Sequence, residues 1–220
     1  MRLLSLTLLT ANVAALADFY AGQLGLAVVA RTATSMTLVA GAGRLTFTQA
    51  ATGTTPTFHF AFDVPADAAE AAADWLESAA PLLPVDGARI AEFPNWLARS
   101  AYVRDPAGNI VECIGRRALD WPPAAAPFSA AGLRGLSEIG LVVPDVPAFV
   151  AYAQATYGVP LFTRQPPTDR FAVLGDDAGL LIVVPPGRPW FPTDTPSAAF
   201  PLTVEFEPRP GQAPAVLRLP

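Results

Sequence analysis

His59 is the only histidine in this chain of 220 residues, and it opens a short apolar strand, HFAFDV over residues 59–64. Glu112 sits on a second apolar stretch, IVECI over residues 110–114. An imidazole and a carboxylate in such surroundings have three uses. They ligate a divalent cation, they move a proton as an acid/base pair, or they hydrogen-bond inside a packed cup. A lone histidine on an apolar strand is most often a satisfied core residue, so the third use is the bland expectation. With one histidine and one cysteine, a zinc cage of several His and Cys ligands is excluded. Cys113 follows Glu112 directly, and neighbouring strand side chains point to opposite faces. If Glu112 faces a cup, Cys113 is buried behind it and is not a catalytic thiol. Glu70, Asp74 and Glu77 follow helical spacing and read as the solvated face of a helix. The chain has no phosphate-binding P-loop, no nucleophile elbow and no basic-aromatic patch.

These residues are positioned by a pattern that recurs three times. Each copy is an alternating apolar strand, a break at Asn, Asp or Pro, an amphipathic helix, and further short strands. The first unit spans about Leu3 to Thr48, with a predicted helix over Val13–Gln23 closed by Gly25. The second spans about Phe58 to Arg116, with Pro65 at the start of a helix over residues 66–78. Its DPAGN segment, residues 105–109, is a strong turn signal before the closing strand. The third spans Leu136 to about Val184, with a helix over Val146–Tyr157. Phe200–Phe206 reads as the opening strand of a fourth, incomplete unit, and residues 208–220 as a tail. The fold class expected is α+β: tandem βαβββ modules forming curved mixed sheets, with helices on the outer face. Residues 1–118 are expected to hold two paired modules, 119–133 a linker, and 134–207 the third module plus one strand.

Composition narrows the partners. Hydrophobic residues make up 52% of the chain and charged residues 15%, ample for a core. A net charge of −5 argues against nucleic acid. No apolar run reaches the roughly 18–20 residues needed to cross a bilayer. Residues 1–17 have the look of a leader peptide, but the repeat assigns them to the first strand and helix. A single cysteine is compatible with a reducing compartment, and a cytoplasmic location is expected.

The tandem units, the HFAFDV strand and the segment DPAGNIVE, residues 105–112, resemble the vicinal-oxygen-chelate superfamily. That group includes glyoxalase I, bleomycin-resistance proteins and extradiol dioxygenases. The resemblance covers nearly the whole chain. It implies that two modules pair into a half-closed barrel whose cup often holds a divalent metal ion, with ligands from the first and last strand of each module. Carried over, the first-strand positions are Ser5, His59 and Glu138. The last-strand positions are Phe47, or Thr46 or Thr48 if the register slips, then Glu112 and Val183. His59 and Glu112 match as metal ligands, with Glu112 also a candidate catalytic base. Ser5 and Phe47 depart from the pattern, and Glu138 is expected to face a different cup. The resemblance therefore implies a small-molecule ligand and two classes of function. One is a metal-dependent lyase, isomerase or ring-cleaving dioxygenase; the other is a metal-free protein that sequesters a drug or toxin.

Three further segments carry expectations. Asn95 and Trp96 either line a pocket or pack in the core. The loop with Arg188, Trp190 and Phe191 reads as structural cover for the incomplete last unit, with a lid or subunit contact as alternatives. Unit three lacks a complete sister, so a homodimer through its open face is expected.

Overall fold

Helix starts and stops follow from local chemistry. The structure, a computed structural model, describes residues 1–220. Strand β1 (Arg2–Thr10) ends where the side chain of Asn12 accepts a hydrogen bond from the Ala15 backbone N–H at 3.0 Å, capping α1 (Val13–Ala17). That helix widens into a π-type turn through Asp18–Gln23, so the helical stretch matches its predicted span. Asp145 caps α3 (Val146–Tyr157) in the same way, and Gly158 closes it with φ of 67°. Helix α2 (Ala69–Glu77) has no side-chain cap; the chain enters it through a tight turn at Ala66–Ala68 after Pro65.

The remaining strands of unit one are β2 (Val28–Arg31), β3 (Ser35–Ala40) and β4 (Gly43–Gln49). Unit two supplies β5 (His59–Val64), β6 (Ala91–Phe93), β7 (Ala98–Arg104) and β8 (Ile110–Arg116). Unit three supplies β9 (Gly135–Val142), β10 (Ala172–Asp176) and β11 (Gly179–Val184). In each unit the first strand lies parallel to the last: β1 to β4, β5 to β8, β9 to β11. The other ladders are antiparallel, giving one curved mixed sheet of 13 strands with three α-helices, an α+β fold.

The pairing of units differs from the expected order. Unit two pairs with unit three, through an antiparallel β5–β9 ladder that sets Phe60 opposite Ile139 and Ala61 opposite Glu138. Unit one pairs instead with β12 (Leu202–Glu207), and shares with β9 a single ladder pair, Leu3 with Leu136. The physical reason lies in the strands' faces. All six residues of β5 are buried, as are most of β9, so each needs cover on both sides. β1 and β12 alternate buried with half-exposed positions, and suit a sheet with one wetted face. The tail is also corrected. Ala215–Leu219 forms β13, antiparallel to β12, and buries Leu217, so the fourth unit has two strands.

One continuous apolar core runs behind both halves. It joins Leu6 and Leu8 of β1, Phe60 and Phe62 of β5, and Leu141 of β9 to the inner faces of all three helices. A smaller cluster, including Tyr102, Ile182 and Trp190, lies on the opposite side of the sheet, inside the curve made by units two and three. The face expected to make a dimer is therefore already covered by unit two.

Candidate functional site

Period-two alternation lays His59, Ala61 and Asp63 of β5 on the same face as Glu112, Ile114 and Arg116 of β8. This face forms the floor of a cavity of about 240 Å³, with His59, Glu112 and Ile114 among its lining residues. His59 Nε2 lies 3.1 Å from Glu112 Oε2. The carboxylate accepts, so Nε2 carries the hydrogen. Tyr102 donates its hydroxyl to Glu112 Oε1 at 3.0 Å. Burial and the neighbouring Glu112 push the Tyr102 phenol well above its ordinary value, which keeps it a donor. Cys113 points the other way into the main core, and burial raises its thiol, so no thiol faces the cup.

Glu138 is not in a different cup. The β5–β9 ladder brings it into the same cavity. It is engaged by Arg116, which is fully buried. Arg116 also lies 5.7 Å from the centre of the Trp96 ring, and its Nε and Nη1 have no partner. Burial pushes Glu138 up to about 7, with Arg116 opposing and Glu112 adding to the rise. Asp63 is likewise pushed up to about 7 by burial, again opposed by Arg116.

The last-strand register needs one correction. The ladder aligns His59 with Ile110, Glu138 with Leu180 and Ser5 with Arg44. Two residues on, the positions equivalent to Glu112 are Ile182, not Val183, and Thr46, the slipped alternative to Phe47. Val183 and Phe47 are buried in the main core, and Phe47 stacks on Tyr20 at 5.2 Å. The cause is turn length. Unit two closes between Asp105 and Asn109, whereas unit three pairs Asp176 with Gly179, one residue fewer. Counting from the turn glycine therefore slips the register.

Apolar walls complete the cup. Trp96 lines it, as one of its two readings held. The loop after β11 does not chiefly cover the last unit. It folds over the cup, where Trp190 meets the His59 ring edge-on at 5.6 Å and Phe191 meets Tyr102 at 5.6 Å. Gly140 makes room for this. A Cβ there would collide with the Trp190 ring. Arg104 donates to Thr195 and so ties down the far side of the loop. The roles of Arg116 and Tyr102 were missed from the sequence, Glu138 was assigned to another cup, and the loop follows the lid alternative rather than the structural cover expected first. The alternation of Glu112, Ile114 and Arg116 was the one signal that could have found Arg116.

As a metal centre the donor set is tested by its own contacts. His59 and Glu112 are bonded to each other, Glu138 is held by a buried guanidinium, and the fourth position is Ile182. No three His, Cys, Asp or Glu side chains converge on one point. The set does not fit a resident transition-metal ion held by two histidines and a carboxylate or another three-donor set.

The family described as the glyoxalase-like domain matches residues 5–114, half of the chain. Among curated proteins none matches. Among solved structures, a candidate dioxygenase from Bacillus subtilis is similar over 90% of this chain and 65% of its own, at 17% identity and a TM-score of 0.62. The chain thus spans 65% of that protein's length. A glyoxalase I variant from Zea mays is similar over 84% of this chain and 68% of its own, at 18% identity and a TM-score of 0.54. At such identities the likeness concerns the fold. No helix is long and apolar enough to cross a membrane.

Proposed function

The chain belongs to the glyoxalase-like family of the vicinal-oxygen-chelate superfamily, and on that premise we propose that its inner cup binds a small planar organic molecule without a metal ion. The observation that carries this reading is the closed set of hydrogen bonds from His59 and Tyr102 to Glu112, buried among aromatic rings. An apolar cavity of about 150 Å³ accepts a benzene ring. The present cavity, about 240 Å³, has room for one ring with substituents. Trp96, Trp190 and Phe191 offer its faces large contact area. His59 and Glu112 then serve as the polar end of the site, bonding a hydroxyl or carbonyl of the ligand.

A second reading rests on the same pair. A carboxylate bonded to an imidazole can take a proton from a bound molecule, so Glu112 is proposed as a base in a lyase or isomerase reaction. His59 would orient that carboxylate and share the charge. No step in either reading passes through a metal, because the donors present do not make a site for one.

The test is calorimetric titration of EDTA-treated protein with a neutral phenol such as para-cresol. Binding is expected with or without added Mn²⁺ or Fe²⁺, and Glu112→Gln should weaken it by about tenfold. Binding that appears only after adding the metal would overturn the metal-free reading. The base is tested by exchange of deuterium from D₂O into an enolisable ketone, expected for the native protein and lost in Glu112→Gln.

A further inference from the structure

Arg188 lines the mouth of the cup, half-buried, with its guanidinium 4.5 Å from the centre of the Phe171 ring. Every other charged group on that lining has a partner. Glu112 is bonded by His59 and Tyr102, and Glu138 is held by Arg116. Arg188 has none: no carboxylate lies within ion-pair distance, whereas six of the fourteen arginines, among them Arg89, Arg99 and Arg164, do have one. The fold does more than leave it alone. Burial and the nearby Arg170 both push its guanidinium below the ordinary value. A half-buried cation beside another cation is an arrangement that an anion would relieve.

The loop also holds Arg188 in place. Its carbonyl accepts from the Ser197 N–H at 2.8 Å, and the Trp190 N–H donates to the Thr195 carbonyl at 2.9 Å. The loop backbone is thereby held over a cavity whose lining contains Arg188, the His59–Glu112 pair and several aromatic rings. A guanidinium over a ring face keeps N–H donors free for a carboxylate, which a guanidinium binds through two parallel bonds.

We propose that Arg188 is an anion clamp, and that the ligand of this cup is an aromatic carboxylate whose ring lies between the tryptophans and whose far end carries a hydroxyl or carbonyl. This deepens the small-molecule reading above and rests on it. The acids of the cup do not repel such a ligand strongly, because each is already matched by a donor or a cation.

The probes are para-hydroxybenzoate and its uncharged isostere para-hydroxybenzamide, titrated calorimetrically into the full chain. The acid is expected to bind at least about tenfold more tightly than the amide, a preference that shrinks as salt is added. Arg188→Gln should bring the acid down to the level of the amide and leave the amide unchanged. Arg188→Lys, which keeps the charge and the loop, should retain part of the preference and guards against a folding defect in the first variant. Equal binding of acid and amide by the native protein would overturn the clamp while the small-molecule reading stood. A preference that persists in Arg188→Gln would overturn the assignment to this residue. Failure of both probes and of neutral phenols to bind would overturn the clamp together with the reading beneath it.

Discussion

Where the inner cup holds His59 and Glu112, the outer sheet of unit one and β12 holds Ser5 and Thr46. The Ser5 hydroxyl donates to Glu205 at 3.1 Å, and Thr46 shares a 3.0 Å bond with Thr37. The positions are equivalent in the module, but the settings are opposite. The inner floor is buried under Trp190 and Phe191, whereas the outer face alternates buried with half-exposed residues. The loop that makes the difference follows β11 and has no counterpart after β4, where the chain runs straight into the connector to β5. The βαβββ module therefore supplies a curved scaffold. Burial, and with it perturbed carboxylates and a ligand cavity, comes from which modules pair and what closes over them.

The sharpest way to break that contrast is to remove one cation from each half. Arg116→Met leaves Glu138 and Asp63 buried without their counter-charge, and should cost about 3–5 kcal/mol in urea unfolding. Arg2→Ala removes a pair with Glu207 at 3.1 Å from an arginine that is 58% exposed, and should cost under about 1 kcal/mol. Similar losses from the two variants would refute the claim that the halves differ electrostatically.

A smaller effect is expected from pH. Folded Asp63 and Glu138 hold their protons up to about pH 7, while the unfolded chain releases them near the ordinary values of 3.8 and 4.5. Between those limits the folded form binds more protons. Their contribution is thus complete in acid and is lost as pH rises through about 7. Thermal unfolding followed from about pH 5 to pH 8 should show a loss on the order of 2 kcal/mol. Asp63→Asn, which keeps the neighbours Arg116, Ser137 and Glu138, should flatten about half of that slope. A slope unchanged in Asp63→Asn would place the titration elsewhere.

The mildest change sharpens the role of the closing loop. Gly140→Ala puts a methyl where the Trp190 ring lies. It should cost about 1–3 kcal/mol, shift tryptophan emission to the red, and weaken phenol binding. A native emission spectrum in this variant would mean that Trp190 does not lie over Gly140.

Much of this was legible in the chain. Asn12 and Asp145 announced two helices because a short polar side chain before an apolar run caps free N–H groups. The family resemblance set His59 and Glu112 in a cup, and period two then turned Cys113 to the opposite face. The slip at Val183 came from a turn shorter by one residue, which the glycine landmark conceals. The exchange of partners between modules was hidden because every first strand is apolar enough to pair with any other. Only the difference between two-sided β5 and one-sided β1 favoured the observed order, and it is written in HFAFDV against LSLTLLT. The closing loop had no periodicity to read. Proline and aromatic residues there take their positions from the cup they cover.

The pairing of β1 with β12 also sets the order in which this chain can fold. Ser5 and Glu205 are 200 residues apart, and the whole inner cup is written between them. A ribosome delivers unit one first and its partner strands last. Units two and three can close on each other while β1 still presents an open edge to the solvent. Contacts of such long range form slowly, and an unpaired edge invites the wrong partner in the meantime. Refolding should therefore be biphasic, with aromatic burial in the inner cup preceding completion of the outer sheet.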